Sequence, residues 1–165
     1  MIPIYPDPKA RPRTRRPRAM VSGVASDSHT WNLVFLQLVC EEAGLDVVNL
    51  GPCVPDDLLV GECVDQRPDL LVISSVNGHG YRDGLRVVPR LRARPELAGT
   101  RIVIGGRLGV TGRREDGPAA RLVAAGCDRV FDGGPGDLEE FRALAAEVAS
   151  RTADGAASRA PVRLR

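Results

Sequence analysis

The chain has 165 residues, the length of one ordinary domain, which argues against a two-domain enzyme. With 43% hydrophobic but only 4% aromatic residues, its core must be aliphatic, and the scarcity of rings argues against a platform for stacking single-stranded nucleic acid. The net charge of +2 conceals a split: residues 1–20 carry six basic and one acidic side chain, residues 151–165 four and one, and the stretch between them thirteen and nineteen, so the acidic middle is unfit to hold DNA by counterion release.

Residues 1–18 contain five of the thirteen prolines, five arginines and a lysine. That composition buries too little apolar surface to offset its chain entropy, and the segment reads as a flexible tail. MVSGVA (20–25) is the first predicted strand, followed by a helix from Thr30 to Ala43 in which Leu33, Leu36, Val39 and Cys40 recur at helical spacing. Gly44 ends this helix as a C-cap. LDVVNLG (45–51) is the second strand, and Pro55 with Asp56 and Asp57 opens a second helix whose acidic first turn suits the helix dipole. DLLVISS (69–75) is the most apolar run and reads as a central strand buried on both faces.

The glycine-rich loop VNGHGYRDG (76–84) leads into a helix at 82–94, whose arginines at 82, 86, 90, 92 and 94 read as a solvated face. TRIVIGG (100–106) is the fourth strand, RLGVTG (107–112) a flexible loop, 117–126 a short helix, DRVF (128–131) the fifth strand and 136–149 a closing helix. Residues 151–165 repeat the character of the first tail, which leaves 19–150 as the folded domain. Alternating strands and helices with right-handed crossovers predict an α/β, doubly wound, five-stranded parallel sheet of flavodoxin-like order 2-1-3-4-5. No run approaches the roughly 18–20 apolar residues of a membrane span, and the N-terminus lacks a signal peptide's apolar run, so a soluble, cytoplasmic protein is expected, without membrane or nucleic-acid partners. Cys40, Cys53, Cys63 and Cys127 show no CxxC spacing and read as reduced thiols.

In open parallel sheets, ligands bind beyond the carboxyl ends of the strands where the order reverses, here between the first and third strands. The loops at that edge are Ser26 to Asn32, Ser74 to Gly84 and Gly105 to Gly112. In the first, Asp27 stands two residues before His29. Such a pair can leave one ring nitrogen free for a metal while the carboxylate orients the other. Equally, Asp27 or Ser28 can cap the helix and leave His29 on the surface, and spacing alone leaves both open. One histidine is a poor zinc site, since zinc usually takes three or four protein ligands; His79 is the only other histidine, and with Cys40 and Cys63 in predicted helices and Cys53 and Cys127 near strand ends a Cys and His cluster is disfavoured. A metal already held in a macrocycle needs only one axial ligand, which points to a corrin or porphyrin. Trp31 reads as packing at the helix start.

These residues resemble a known family. Asp27-Ser28-His29-Thr30-Trp31-Asn32 is similar to the DxHxxG motif of cobalamin-binding domains, Ser74-Ser75-Val76 stands at their SxL and Gly105-Gly106 at their GG. The segments SDSH, VVNLGPCVP, DLLVISSVNGHG, IVIGGRLGVTG and GCDRVF resemble the small, cobalamin-binding subunit of glutamate mutase (methylaspartate mutase) over residues 20–145. The resemblance implies base-off binding of adenosylcobalamin, with His29 as axial cobalt ligand and Asp27 orienting it. It further implies that Ser74 bonds the buried base of the nucleotide tail and that Gly105 and Gly106 keep side chains out of the tail slot. Ser26, Ser28, Thr30, Val76, Asn77, Gly78, His79, Gly80 and Arg107 would complete the cofactor's surroundings. Two positions depart from the motifs: Asn32 replaces the glycine and Val76 the leucine.

The resemblance also implies half an enzyme, inactive alone. A free-standing module without helical cap or barrel matches the small subunit of a carbon-skeleton mutase, acting with a large barrel subunit on glutamate and 3-methylaspartate by a radical route. A non-catalytic cobalamin carrier or sensor, the partner of a different cobalamin enzyme, and an interaction module binding no corrin are the alternatives.

Overall fold

The computed structural model describes residues 15–109 and 117–157. Five strands, β1 (Arg18–Gly23), β2 (Asp46–Asn49), β3 (Leu70–Ser75), β4 (Arg101–Gly106) and β5 (Arg129–Phe131), alternate with α1 (Trp31–Glu42), α2 (Asp56–Gln66), α3 (Gly80–Arg92), α4 (Pro118–Ala125) and α5 (Asp137–Ala157). The sheet is parallel with the expected order β2-β1-β3-β4-β5.

All six residues of β3 are buried, because helices cover both sheet faces. On one face Leu71, Ile73, Ile102 and Ile104 pack with Leu59 of α2, Val87, Val88 and Leu91 of α3 and Leu122 of α4. On the other, Leu70, Val72 and Val103 meet Leu33 and Val39 of α1 and Phe141, Ala145 and Val148 of α5. The period-2 alternation of strand side chains divides one unbroken apolar run between two cores. The second face matters for function, since residues of α1 and α5 border a slot there at the carboxyl end of the sheet.

Several boundaries differ from those the sequence predicts. β1 starts at Arg18, two residues before its apolar run, because pairing decides where it begins: Arg18 lies opposite Asp46, and its backbone N–H donates to the Asp69 carboxylate at 2.7 Å. Arg15 bonds the same carboxylate at 3.0 Å, so the last residues of the expected tail lie on the folded body. Val24 and Ala25 leave the strand for a turn closed by Asp27 N–H to the Val24 carbonyl. α3 starts at Gly80, and α5 runs eight residues past its predicted end, to Ala157. Residues 1–14, 158–165 and 110–112 of the predicted loop lie outside the described residues.

The arginine-rich face of α3 is committed rather than merely solvated. Arg86 pairs with Asp56, Arg90 with Asp57, and Arg92 bonds the carbonyls of Thr100 and Gly126 and the Asp128 carboxylate. It ties α3 to α2 and to the entry of β5. Among the described residues, no helix is long and apolar enough to cross a membrane.

Candidate functional site

Asp27 is the hub of the carboxyl edge. Its side chain is 1% exposed and both oxygens are engaged. Oδ1 accepts the backbone N–H of His29 at 3.0 Å and meets His29 Nδ1 at 2.6 Å, while Oδ2 accepts the N–H groups of Val76 at 2.6 Å and Asn77 at 3.2 Å. One carboxylate thus joins the loop after β1 to the loop after β3, two strands that are neighbours in the sheet. Burial alone would raise its pKa, but the N–H groups of His29 and Val76, the His29 ring and the Ser75 hydroxyl outweigh burial and hold it at about 2. It is ionised at neutral pH.

That geometry removes the capping alternative for the first loop. The N-cap of α1 is Thr30, without a side-chain capping bond, so neither Asp27 nor Ser28 caps the helix. An ionised carboxylate at Nδ1 keeps the ring proton there and leaves the Nε2 lone pair available. His29 is 48% exposed, so that nitrogen is within reach of a ligand. His79, by contrast, is the exposed N-cap of α3, and no side chain among the described residues orients its ring.

A second layer of bonds stiffens the two loops. Asn77 donates to the Ser26 carbonyl at 2.8 Å and accepts from the Ser75 hydroxyl and the His79 N–H. Ser26 Oγ bonds Asp83 Oδ2 at 2.5 Å, and Asp83, 2% exposed, also holds Arg86. Asp83 was not legible as a site residue, because an acid in a helix's first turn suits the dipole without any partner. Cys53, in the loop after β2, contributes its backbone N–H to the Asp27 carbonyl from a left-handed conformation, φ 51°. The other three cysteines are buried, and burial pushes their thiols up to about 12, which leaves them inert.

Beside the His29 loop an apolar slot of about 240 Å³ opens between α1 and α5 over the ends of β3 and β4. Phe35 and Leu36 form one wall, Phe131, Leu138 and Phe141 the other, and Val72, Val103, Gly105 and Gly106 the floor. Asn32 and Ser74 meet inside it, Asn32 Nδ2 donating to Ser74 Oγ at 2.7 Å. Trp31 does not pack at the helix start as expected; it is 66% exposed at the mouth of the slot. The aromatic walls had no local signal, because Phe131 and Phe141 sit on different elements and meet edge-to-face only in the fold.

The glycines are needed for reasons partly different from those expected. Both Gly105 and Gly106 line the slot, yet a Cβ on Gly105 would press on Phe131 of β5 at 3.0 Å, and one on Gly106 would lie 2.2 Å from the Ser75 carbonyl of β3. Gly106 also adopts φ 109°. Gly106→Ala is expected to cost about 2 kcal/mol, from left-handed strain and displacement of the strand end; a urea midpoint unchanged from the parent would overturn this account. Gly78 serves conformation, at φ 86° with open space around it. Gly80 is corrected from loop to helix: it is buried in the first turn of α3, where a Cβ would meet Ser75 and Leu108 within 2.8 Å. Ser28, Thr30 and Arg107 are exposed at the rim, and Val76 is half-buried beside the Asp27 carboxylate.

Known proteins resemble this chain in sequence and in fold. The chain is 30% identical over 115 residues to the glutamate mutase sigma subunit of Halobacterium salinarum, covering 70% of this chain and 76% of that one. It is 25% identical to the sigma subunit of Fusobacterium nucleatum over 71% of this chain and 85% of the relative. Among solved structures, the monomethylamine corrinoid protein of Methanosarcina barkeri superposes with TM-score 0.64 at 18% identity, over 81% of this chain but only 58% of that one, a likeness of fold. The profile of the B12 binding domain matches residues 17–131, the sheet together with all three loops of the carboxyl edge. The chain belongs to the B12-binding domain family.

Proposed function

We propose that this chain is the cobalamin-binding subunit of an adenosylcobalamin-dependent carbon-skeleton mutase, with glutamate and 3-methylaspartate as the substrate pair and a larger barrel subunit as its partner. The observation that carries the reading is the His29–Asp27 pair standing beside an apolar slot. Among the described residues no group of three or more His, Cys, Asp or Glu side chains is placed to hold a metal ion. The donor set is one imidazole, which suits a metal whose other positions a macrocycle fills. At about 240 Å³ the slot is smaller than the roughly 300–1,000 Å³ of pockets enclosing a whole small molecule, and so suits one flat heterocycle of a larger ligand. Cobalamin, with its corrin and separate nucleotide base, has both parts.

When bound, the cofactor supplies cobalt–carbon homolysis, the source of a hydrogen-abstracting radical. The chain's own contribution is orientation. His29 would offer Nε2 to cobalt, and Asp27 holds Nδ1 and so fixes the orientation of the ring. Val76 and Asn77 hold Asp27 in turn, so the ligand's position is tied to β3 rather than to a loose loop. The walls from α1 and α5 exclude water from the tail. Substrate contacts belong to the partner subunit.

Titration of the purified chain with adenosylcobalamin should give a base-off, histidine-ligated spectrum. Mixing with a glutamate mutase large subunit should then restore isomerisation. No spectral change would sink the reading, and a ligated spectrum with no activity beside any glutamate mutase partner would leave a cobalamin carrier or the subunit of another mutase.

A further inference from the structure

Asn32 is 5% exposed and lies among hydrocarbon, yet one of its two amide heads has no partner. Its Nδ2 donates to Ser74 Oγ, and its Oδ1 is the one buried side-chain polar atom without a hydrogen bond among the described residues. An amide oxygen withdrawn from water and given no donor is unfavourable, so a native structure that keeps one needs a reason. Position supplies it, since Asn32 and Ser74 both line the slot, whose floor and walls are otherwise almost wholly apolar. Ser74 accepts the bond from Asn32 and so keeps its own O–H to give. The slot therefore presents a hydroxyl donor and an amide acceptor side by side.

We infer that Asn32, with Ser74, selects the lower base of the corrinoid, favouring an aminopurine over dimethylbenzimidazole. The inference rests on the corrinoid reading above. An aminopurine edge carries a ring nitrogen beside an amino group, which can take the Ser74 O–H and give an N–H to Asn32 Oδ1. Dimethylbenzimidazole has a ring nitrogen for Ser74 but only C–H groups for Asn32, and binding it leaves the amide oxygen unsatisfied. A site built around a polar pair discriminates strongly against a ligand that leaves one member unpaired.

The test is equilibrium binding of three adenosylated corrinoids, an adenine-tailed cobamide, the dimethylbenzimidazole form and base-free cobinamide, to the full chain and to Asn32→Leu and Asn32→Gly. Leucine keeps the volume and loses the acceptor, whereas glycine also opens space. The unsubstituted chain should prefer the adenine-tailed form over the benzimidazole form by about tenfold. Asn32→Leu should abolish that preference with cobinamide affinity unchanged, and Asn32→Gly should raise affinity for the benzimidazole form. An equal ratio in the parent and Asn32→Leu, or a parent preference for benzimidazole, overturns the inference while leaving corrinoid binding intact. Failure of all three corrinoids to bind the parent chain overturns both the inference and the reading beneath it. Should Asn32→Leu not fold, Asn32→Gly decides alone, since an unchanged ratio there also overturns the role.

Discussion

Asp27→Ala should lower stability by about 3 kcal/mol and disorder the histidine loop. The carboxylate accepts two N–H groups from the start of the β3 loop and one from His29 and holds the imidazole, all with 1% exposure. Alanine leaves the Val76 and Asn77 donors without a partner in a half-buried place, and hydrogen bonds to a charged acceptor are the strong kind. Chemical denaturation measures the loss, and a change below about 1 kcal/mol would show that water replaces the carboxylate freely. The charge itself has a pH signature. The carboxyl is at about 2 in the folded chain against 3.8 when unperturbed, so the unfolded state takes up its proton first as the medium is acidified. The stabilisation is full above about pH 4 and drains away as pH falls toward 2, amounting to about 2 kcal/mol in all. The stability difference between the parent and Asp27→Asn should accordingly be constant from about pH 5 to 7 and narrow between about pH 4 and 2. A difference that does not change across that range is incompatible with the ionised form being the one the fold prefers.

His29→Ala largely separates ligand binding from folding. The ring is half exposed and the backbone N–H that anchors the loop to Asp27 survives, but the ring's bond to the buried carboxylate is lost, so stability should fall by about 1 kcal/mol, well short of the Asp27→Ala loss. Corrinoid affinity should fall about a hundredfold, with loss of the histidine-ligated spectrum, while Asp27→Asn, which removes the charge behind the ligand, should cost about 10–100-fold. His79→Ala is the matched control, because its ring has no carboxylate to orient it, and it should bind as the parent does. Were the ligated spectrum to survive in His29→Ala and vanish in His79→Ala, the axial assignment would pass to the other histidine.

Much of this was legible in the residues. The unbroken run from Leu70 to Ser75 identifies a strand covered on both faces, since a half-exposed strand would have to alternate. The order of the sheet follows from alternating elements and crossover handedness, and it singles out the carboxyl edge as the expected ligand site before any motif is consulted. Asp27 and His29 lie two residues apart, so their pairing is a local geometry that the sequence nearly spells out. The pair Gly105-Gly106 likewise marks a strand end where side chains are unwelcome, although the sequence does not say that Ser75 and Phe131 are what they would strike.

What escaped the sequence is what depends on contacts between distant segments. Ser26 and Asp83 are 57 residues apart, and neither carries a sign of the other. Trp31 looked like packing because large aromatics usually are, yet its direction is set by where α1 lies on the sheet, and here it faces outward at the slot's mouth. Arg18 opens β1 because Asp46 and Asp69 stand opposite it, not because it is apolar.

Local chemistry by itself therefore determined the class of fold, the sheet edge proposed for a ligand and the close pairing of Asp27 with His29, because periodicity and short spacing act within a few residues of chain. Only the tertiary structure decided that Asn32 reaches Ser74 across 42 residues and leaves an amide oxygen unanswered inside the slot. Burial and hydrogen-bond satisfaction are properties of the assembled surroundings, and no residue carries them alone.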